Sequence, residues 1–160
     1  MKTNGIIVFA ILFGMLLQGC SSVNTPPSLT EQEKRLNENY DDIVVVLDYM
    51  FASEYHWISI NGERVTVRAD FEDITIEDEH VAAAVARLLK HYHSIFKSGN
   101  IVEFFQWRGL RDIGSGVVYA LDGNYSGIYE IGYITEIIPM SKDNWFYYVD
   151  DYEKWRAENH

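Results

Sequence analysis

From Gly5 to Leu17 the chain runs through thirteen residues without a single charge, preceded by Lys2 and followed at once by Gln18, Gly19 and Cys20. A helix that crosses a bilayer needs about 20 apolar residues to span the hydrocarbon, so this run is too short to be a membrane span. A basic head, a short apolar core and a small residue at its end are the pattern of an export signal. The reading fixes where the folded body begins, because residues 1–19 are then removed and contribute nothing to a core.

Cysteine use points the same way. Cys20 is the only cysteine in 160 residues, so no disulfide can form within the chain even in an oxidising compartment. The segment Leu17-Gln18-Gly19-Cys20 resembles the lipobox of bacterial lipoproteins, with a hydrophobic residue three positions before the cysteine and a small one just before it. The resemblance implies cleavage before Cys20, a diacylglyceryl thioether on its sulfur and often a further palmitate-type acyl chain on the new amine. Each buried methylene contributes about 0.8 kcal/mol, and two chains hold where one is marginal. The protein is therefore expected in the cell envelope. It would sit on the outer membrane of a Gram-negative host, since Ser21 is compatible with onward sorting, and otherwise on the outer face of the cytoplasmic membrane. No cofactor beyond this covalent lipid is implied.

Losing 19 of 160 residues leaves 141, the size of one domain. All 24 acids lie in that part and one of the 13 basic residues leaves with the signal, so the mature chain sets 12 bases against 24 acids, a formal charge of −12. That balance excludes nucleic acid as a natural partner, because a phosphate backbone rewards clustered Lys and Arg. The lipidated N-terminus and a Ser-, Thr-, Asn- and Pro-rich tether occupy residues 20–28, and a single domain is expected over 29–160.

Ser28-Leu29-Thr30-Glu31 has the form of a capping box. Leu36, Tyr40, Ile43, Val44, Leu47 and Met50 then recur at helical spacing, which predicts one helix from Leu29 to Phe51. Tyr55–Ile60 and Glu63–Ala69 read as strands joined by a two-residue turn at Asn61-Gly62, placing Ile58 opposite Val65. Asp78 opens a second helix whose stripe of Val81, Val85, Leu88, Leu89, Tyr92 and Phe96 predicts helix as far as Lys97, with Gly99 as its stop. Beyond it, Ile101–Trp107, Gly116–Leu121, part of Ile128–Ile138 and Trp145–Val149 read as strands, Pro139 as a strand end or edge residue, and Asp151–Ala157 as a short helix. The order α-β-β-α-β-β-β-β with a C-terminal helix predicts an α+β domain, two main helices packed on one face of a largely antiparallel, curved sheet. That order is similar to cystatin-like cones, a likeness of architecture that says nothing of function.

Chemistry is sparse. On a helix, His91 and His93 would diverge by about 200° and His80 would lie roughly 16 Å from His91, so no metal site is expected. Gly109-Leu110-Arg111-Asp112-Ile113-Gly114-Ser115-Gly116 lacks the lysine of a phosphate loop and the flanking glycines of a nucleophile elbow, so Ser115 is not a nucleophile candidate. Adjacent carboxylates at Asp41-Asp42 and Asp150-Asp151 diverge in any regular element, and no catalytic residue is assigned. The candidates for ligand or partner binding are Trp107, Arg108 and Arg111, a cationic spot beside an aromatic on an acidic protein, together with Trp145 from the second aromatic cluster. The expected function is a membrane-anchored, non-enzymatic domain that binds another envelope protein. The alternatives are a small-ligand carrier or enzyme with a Tyr- and Trp-lined pocket in a cone-like domain, and an inhibitor or immunity lipoprotein that turns its acidic surface on a basic target.

Metabolic labelling with a fatty acid should mark the wild-type chain and leave Cys20→Ser unmarked and released from membranes. An unlabelled wild type, or a Cys20→Ser chain just as membrane-bound, would remove the anchor.

Overall fold

The structure, a computed structural model, describes residues 25–61, 66–70, 72–109, 113–124 and 133–159. Helix α1 (Leu29–Glu38) starts on the expected capping box. The Glu31 carboxylate accepts from the Ser28 N–H (2.7 Å) and Ser28 Oγ accepts from the Glu31 N–H (3.4 Å). Those bonds to Ser28 hold the Glu31 carboxyl below its usual pKa.

The single helix expected from Leu29 to Phe51 is two helices, broken at Asn39. Asn39 leaves helical geometry (φ −112°, ψ 10°) and its side-chain amide donates to Arg35 O (2.8 Å), competing with the backbone for a helix carbonyl. A new helix, α2 (Tyr40–Ala52), begins directly after it and buries Ile43, Val46, Leu47 and Met50. The break lets α1 bury Leu36 and Gln32 at one end of the sheet while α2 lies across its middle.

Strands β1 (Trp57–Asn61) and β2 (Thr66–Ala69) pair antiparallel as expected, but Ile58 faces Ala69 and Asn61 faces Thr66. The expected two-residue turn at Asn61-Gly62 is thereby corrected, since Asn61 is itself paired with Thr66; Gly62 and the expected strand start at Glu63–Val65 lie outside the described residues. Ala69 and Val65 have the same parity, so the face that Ile58 and Ile60 turn to the core is unchanged. A two-residue strand β3 (Glu72–Asp73) follows and pairs with β2.

Helix α3 (Glu79–Leu88) is capped by Asp78, whose carboxylate accepts from the N–H groups of His80 (2.8 Å) and Val81 (3.2 Å). It buries Val81, Ala84, Val85 and Leu88 and ends there, three turns short of the expected stop at Gly99. The segment read as its last turns is strand β4 (Ser94–Ser98), paired on both sides with β1 and β5. His, Tyr, Ser, Ile and Phe in succession are weak helix formers, and here two ladders of backbone hydrogen bonds outweigh the apparent helical stripe. Gly99 (φ 55°) is the first residue of the tight turn between β4 and β5, a position that favours glycine.

Strands β5 (Ile101–Arg108), β6 (Ile113–Ala120), β7 (Ile134–Pro139) and β8 (Trp145–Asp151) and a terminal helix α4 (Tyr152–Asn159) complete the chain. Among the described residues the fold is four helices and one open antiparallel sheet of eight strands, in the order β3-β2-β1-β4-β5-β6-β8-β7, an α+β architecture. Pro139 ends the edge strand β7, where its missing N–H costs no ladder bond.

The main core lies between the sheet and α1–α3. Ile58, Ile60, Ile95, Val102, Phe104, Val117 and Trp145 rise from the strands to meet the buried faces of the helices. Asp42 of α2 clamps Arg87 of α3 through two bonds (2.8 and 2.6 Å). Lys97 is the unusual member of this layer. It is 5% exposed, and its ammonium donates to Met50 O and Tyr55 O (2.6 Å each), closing the C-terminal end of α2 where helix carbonyls lack partners.

Lys97→Met should leave Tyr55 O without that donor and Met50 O with the Ser53 hydroxyl alone, and lower stability by about 2–3 kcal/mol in urea unfolding, whereas exposed Lys154→Met should change it by less than about 0.5 kcal/mol. Equal stabilities for the two variants would show that the ammonium does not secure the helix end.

Candidate functional site

Strand alternation would put Trp107 and Arg108 on opposite faces in any register, but which faces they take is decided by a β-bulge. Phe105 pairs with Gly116 and Trp107 with Ser115, leaving Gln106 as the extra residue. Gln106 and Trp107 therefore both turn toward the helices, and Arg108, level with Gly114, turns to the outer face of the sheet. Cys20 and Arg111 lie outside the described residues. The structure thus separates Trp107 from Arg108.

Trp107 is half-buried at the wall of a groove of about 530 Å³, between α1 and the tether, that is also lined by Pro26, Pro27, Glu31, Lys34, Arg35 and Glu38. Its indole folds over Gly109, where any side chain would collide with the ring. The tether is held against the body here, because Tyr147 Oη donates to Pro27 O (2.8 Å). Trp145, expected as a second binding aromatic, is 2% exposed and packs between Phe104 (5.8 Å) and Tyr119 (5.3 Å), so it serves the core.

Arg108 is exposed and its guanidinium lies over the Phe105 ring, 5.6 Å from its centre. His93, Ser94, Phe105 and Asn61 join it around a cleft of about 250 Å³. His91 and His93 sit past the end of α3, so the helical geometry used to compare them does not apply. The His93 ring stands 6.1 Å from Phe105. Among the described residues no group of three or more His, Cys, Asp or Glu side chains is arranged to hold a metal.

The same outer face holds a cluster that the sequence reading passed over. Four consecutive aromatics of β8 alternate, Trp145 and Tyr147 toward the helices, Phe146 and Tyr148 toward the outer side, and all four are buried. Tyr148 pairs with Gly116, and the missing side chain there lets the phenol lie across β6, since a Cβ would stand 3.0 Å from its ring. Its hydroxyl donates to the Glu103 carboxylate on β5. Gly114 in the same way clears space for Asp150 and for the Phe105 ring.

Burial pushes the Glu103 carboxyl up to about 7; the Tyr148 hydrogen bond opposes that rise and the Asp150 charge adds to it. Burial and the neighbouring Glu103 charge raise the Tyr148 phenol well above its ordinary value, so it stays a neutral donor. Asp150 is raised too, chiefly by burial, and its Oδ1 is buried without a hydrogen-bond partner among the described residues. A carboxyl poised near neutrality beside a neutral phenol can take up or release a proton at physiological pH, the property required of a general acid or base.

The sequence carried a trace of this cluster. Glu103 is a lone acid inside the apolar run Ile101-Val102-Glu103-Phe104-Phe105, and such an acid on a strand is either at the surface or held by a partner. The expected divergence of the acid pair at 150–151 is seen in Asp151, whose Oδ1 accepts from the Lys154 N–H (2.9 Å) at the start of α4. Asp150 faces the other way, across Gly114. Ser115 is fully buried.

Because the folded state raises the Glu103 pKa above that of an unfolded carboxyl, between about pH 4.5 and 7 the native protein retains a proton that the unfolded chain has lost. Stability contributed by the neutral carboxyl is thus complete below that window and lost as pH rises through it, by an amount on the order of 3 kcal/mol. Glu103→Gln, which keeps shape and carries no charge, should flatten this part of the stability profile and leave the variant more stable than wild type at pH 8. A variant with the same slope as wild type would show that Glu103 does not titrate there.

Comparison of the chain with protein-family models, with curated proteins and with solved structures finds no match.

Proposed function

We propose that the chain is a lipoprotein anchored through Cys20 to the cell envelope, and that its acidic α+β domain binds another envelope protein at the groove beside Trp107. The half-buried indole in that groove carries the reading. A large aromatic lying over Gly109 and ringed by the charges of Glu31, Lys34, Arg35 and Glu38 has the anatomy of a binding hot spot, an apolar anchor within a polar rim. Its location supports the anchor as well. Four residues separate Cys20 from Thr25 on the groove wall, and the five steps of chain between them reach at most about 18 Å. A lipidated Cys20 would hold the groove close to the bilayer, within reach of the exposed domain of a membrane-bound partner.

A second reading, acid–base chemistry on a small ligand at the outer face, is favoured by the Glu103 carboxyl raised to about 7. Discrimination between the two lies in which residues matter.

Crosslinking in intact envelopes should capture a specific partner with wild type. Trp107→Ala should lower its yield about tenfold or more, the loss expected for a hot-spot aromatic, with folding unchanged. Tyr133 belongs to a separate exposed aromatic cluster with Tyr152 (4.7 Å) and Trp155 (5.0 Å), and Tyr133→Ala should leave the yield intact. Loss with Tyr133→Ala alone would move the interface to that edge of the sheet, and a Trp107→Ala chain captured as efficiently as wild type would overturn the groove.

A further inference from the structure

We propose that the outer-face cleft between Arg108 and His93 binds a small oxyanion, a carboxylate or a phosphate. Four polar side chains from three strands and a loop line this cleft: Asn61 at the end of β1, His93 and Ser94 at the start of β4, and Arg108 at the end of β5. Phe105 forms the floor. Register explains their convergence, because Asn61 pairs with Ser94 and Ser94 with Phe105, so the three stand in one row across the sheet. Arg108 reaches that face only through the bulge at Gln106, since unbroken alternation from Phe105 would have turned it to the helices.

The chemistry of the lining is distinctive on a chain with 24 acids. No carboxylate lines the cleft, and Arg108 makes no salt bridge among the described residues. Its guanidinium instead rests on Phe105, an apolar support that orients the fork without consuming its N–H donors. Ser94 on one side of Phe105 and Gly116 on the other are both small. Asp150, across Gly114, supplies the nearest opposing charge on β8, on the side of Arg108 away from His93 and Ser94. A planar guanidinium above an aromatic floor, with an imidazole and a hydroxyl opposite, fits the two or three oxygens of a carboxylate or phosphate group.

Isotope-labelled full-length protein in neutral detergent, titrated separately with acetate and with inorganic phosphate at constant ionic strength, tests this. Saturable amide shifts are expected at Ser94, Phe105 and Gly114 with at least one of the two probes. Shifts with acetate alone identify a carboxylate site and shifts with phosphate alone a phosphate site. Arg108→Gln should weaken binding at least about tenfold, and Arg108→Lys, which keeps the charge and loses the fork, should fall between. Arg108 is exposed, and the unshifted remainder of the variant's spectrum reports that the fold is retained. No saturable shift in the cleft with either probe, shifts confined to Arg35 and its groove, or equal affinity in Arg108→Gln would each overturn the site.

Discussion

The buried contact between Gln32, Gln106 and Arg35 is the joint on which the placement of Trp107 and Arg108 depends. Gln32 on α1 is 1% exposed and Gln106 on β5 is 8% exposed, and the assignment of the Gln106 amide that gives both its ends partners is the one in which its nitrogen donates to Gln32 and its oxygen accepts from the Arg35 guanidinium. A buried amide without partners is costly, so this pairing ties α1 to the one residue of β5 that has no opposite number on β6. The bulge is fixed by polar satisfaction from the helix side, and its consequences appear on both faces. Trp107 is delivered to the groove beside α1, and Arg108 to the outer face. Arg35 also donates to His91 O (3.4 Å), which links the joint to the turn after α3 and so to the entry of β4.

The outer face shows how such a sheet holds ionisable groups that it has no helix to cover. Glycines at 114 and 116 are two residues apart on one strand, hence on one face, and their missing side chains are filled by Asp150, Phe105 and Tyr148 from the strands on either side. The packing that results removes water from Glu103 and Asp150, and although the Arg108 charge opposes the rise at Asp150, burial outweighs it and both carboxyls rise. Tyr148 partly compensates by donating to Glu103. The cluster is therefore sensitive to pH because of what is absent from β6.

Where the sequence spoke through local chemistry it was legible: the capping box at Ser28, the Asp78 cap and the strand end at Pro139 all follow from short-range rules. It was not legible where long-range pairing competes with a local pattern. Leu88, Leu89, Tyr92 and Phe96 satisfy a helical stripe, yet the same segment offers Ile95 and Lys97 at strand spacing, and only the presence of β1 and β5 on either side selects the strand. Asn39 broke the first helix through one side-chain hydrogen bond that spacing cannot register. Arg108 and Trp107 were grouped because they are neighbours in sequence, and the bulge that decides their faces depends on Gln32, far away on α1. Glu103 was passed over because an isolated acid becomes a site only when Tyr148 and two glycines are known to stand beside it.

Charge distribution connects these observations to binding. A formal charge of −11 on the chain repels anions at long range, but that repulsion is carried by exposed groups and is screened over about 8 Å at physiological ionic strength. A contact between a guanidinium fork and an oxyanion acts at hydrogen-bond distance, inside that screening length, and is strengthened where an aromatic floor excludes water from one side. The acidic surface thus slows the approach of anions in general while leaving the contact at Arg108 nearly intact. Selectivity then falls to geometry, to whether a ligand can lay its oxygens between Arg108 and His93 above Phe105, since the protein's overall field favours no anion over another.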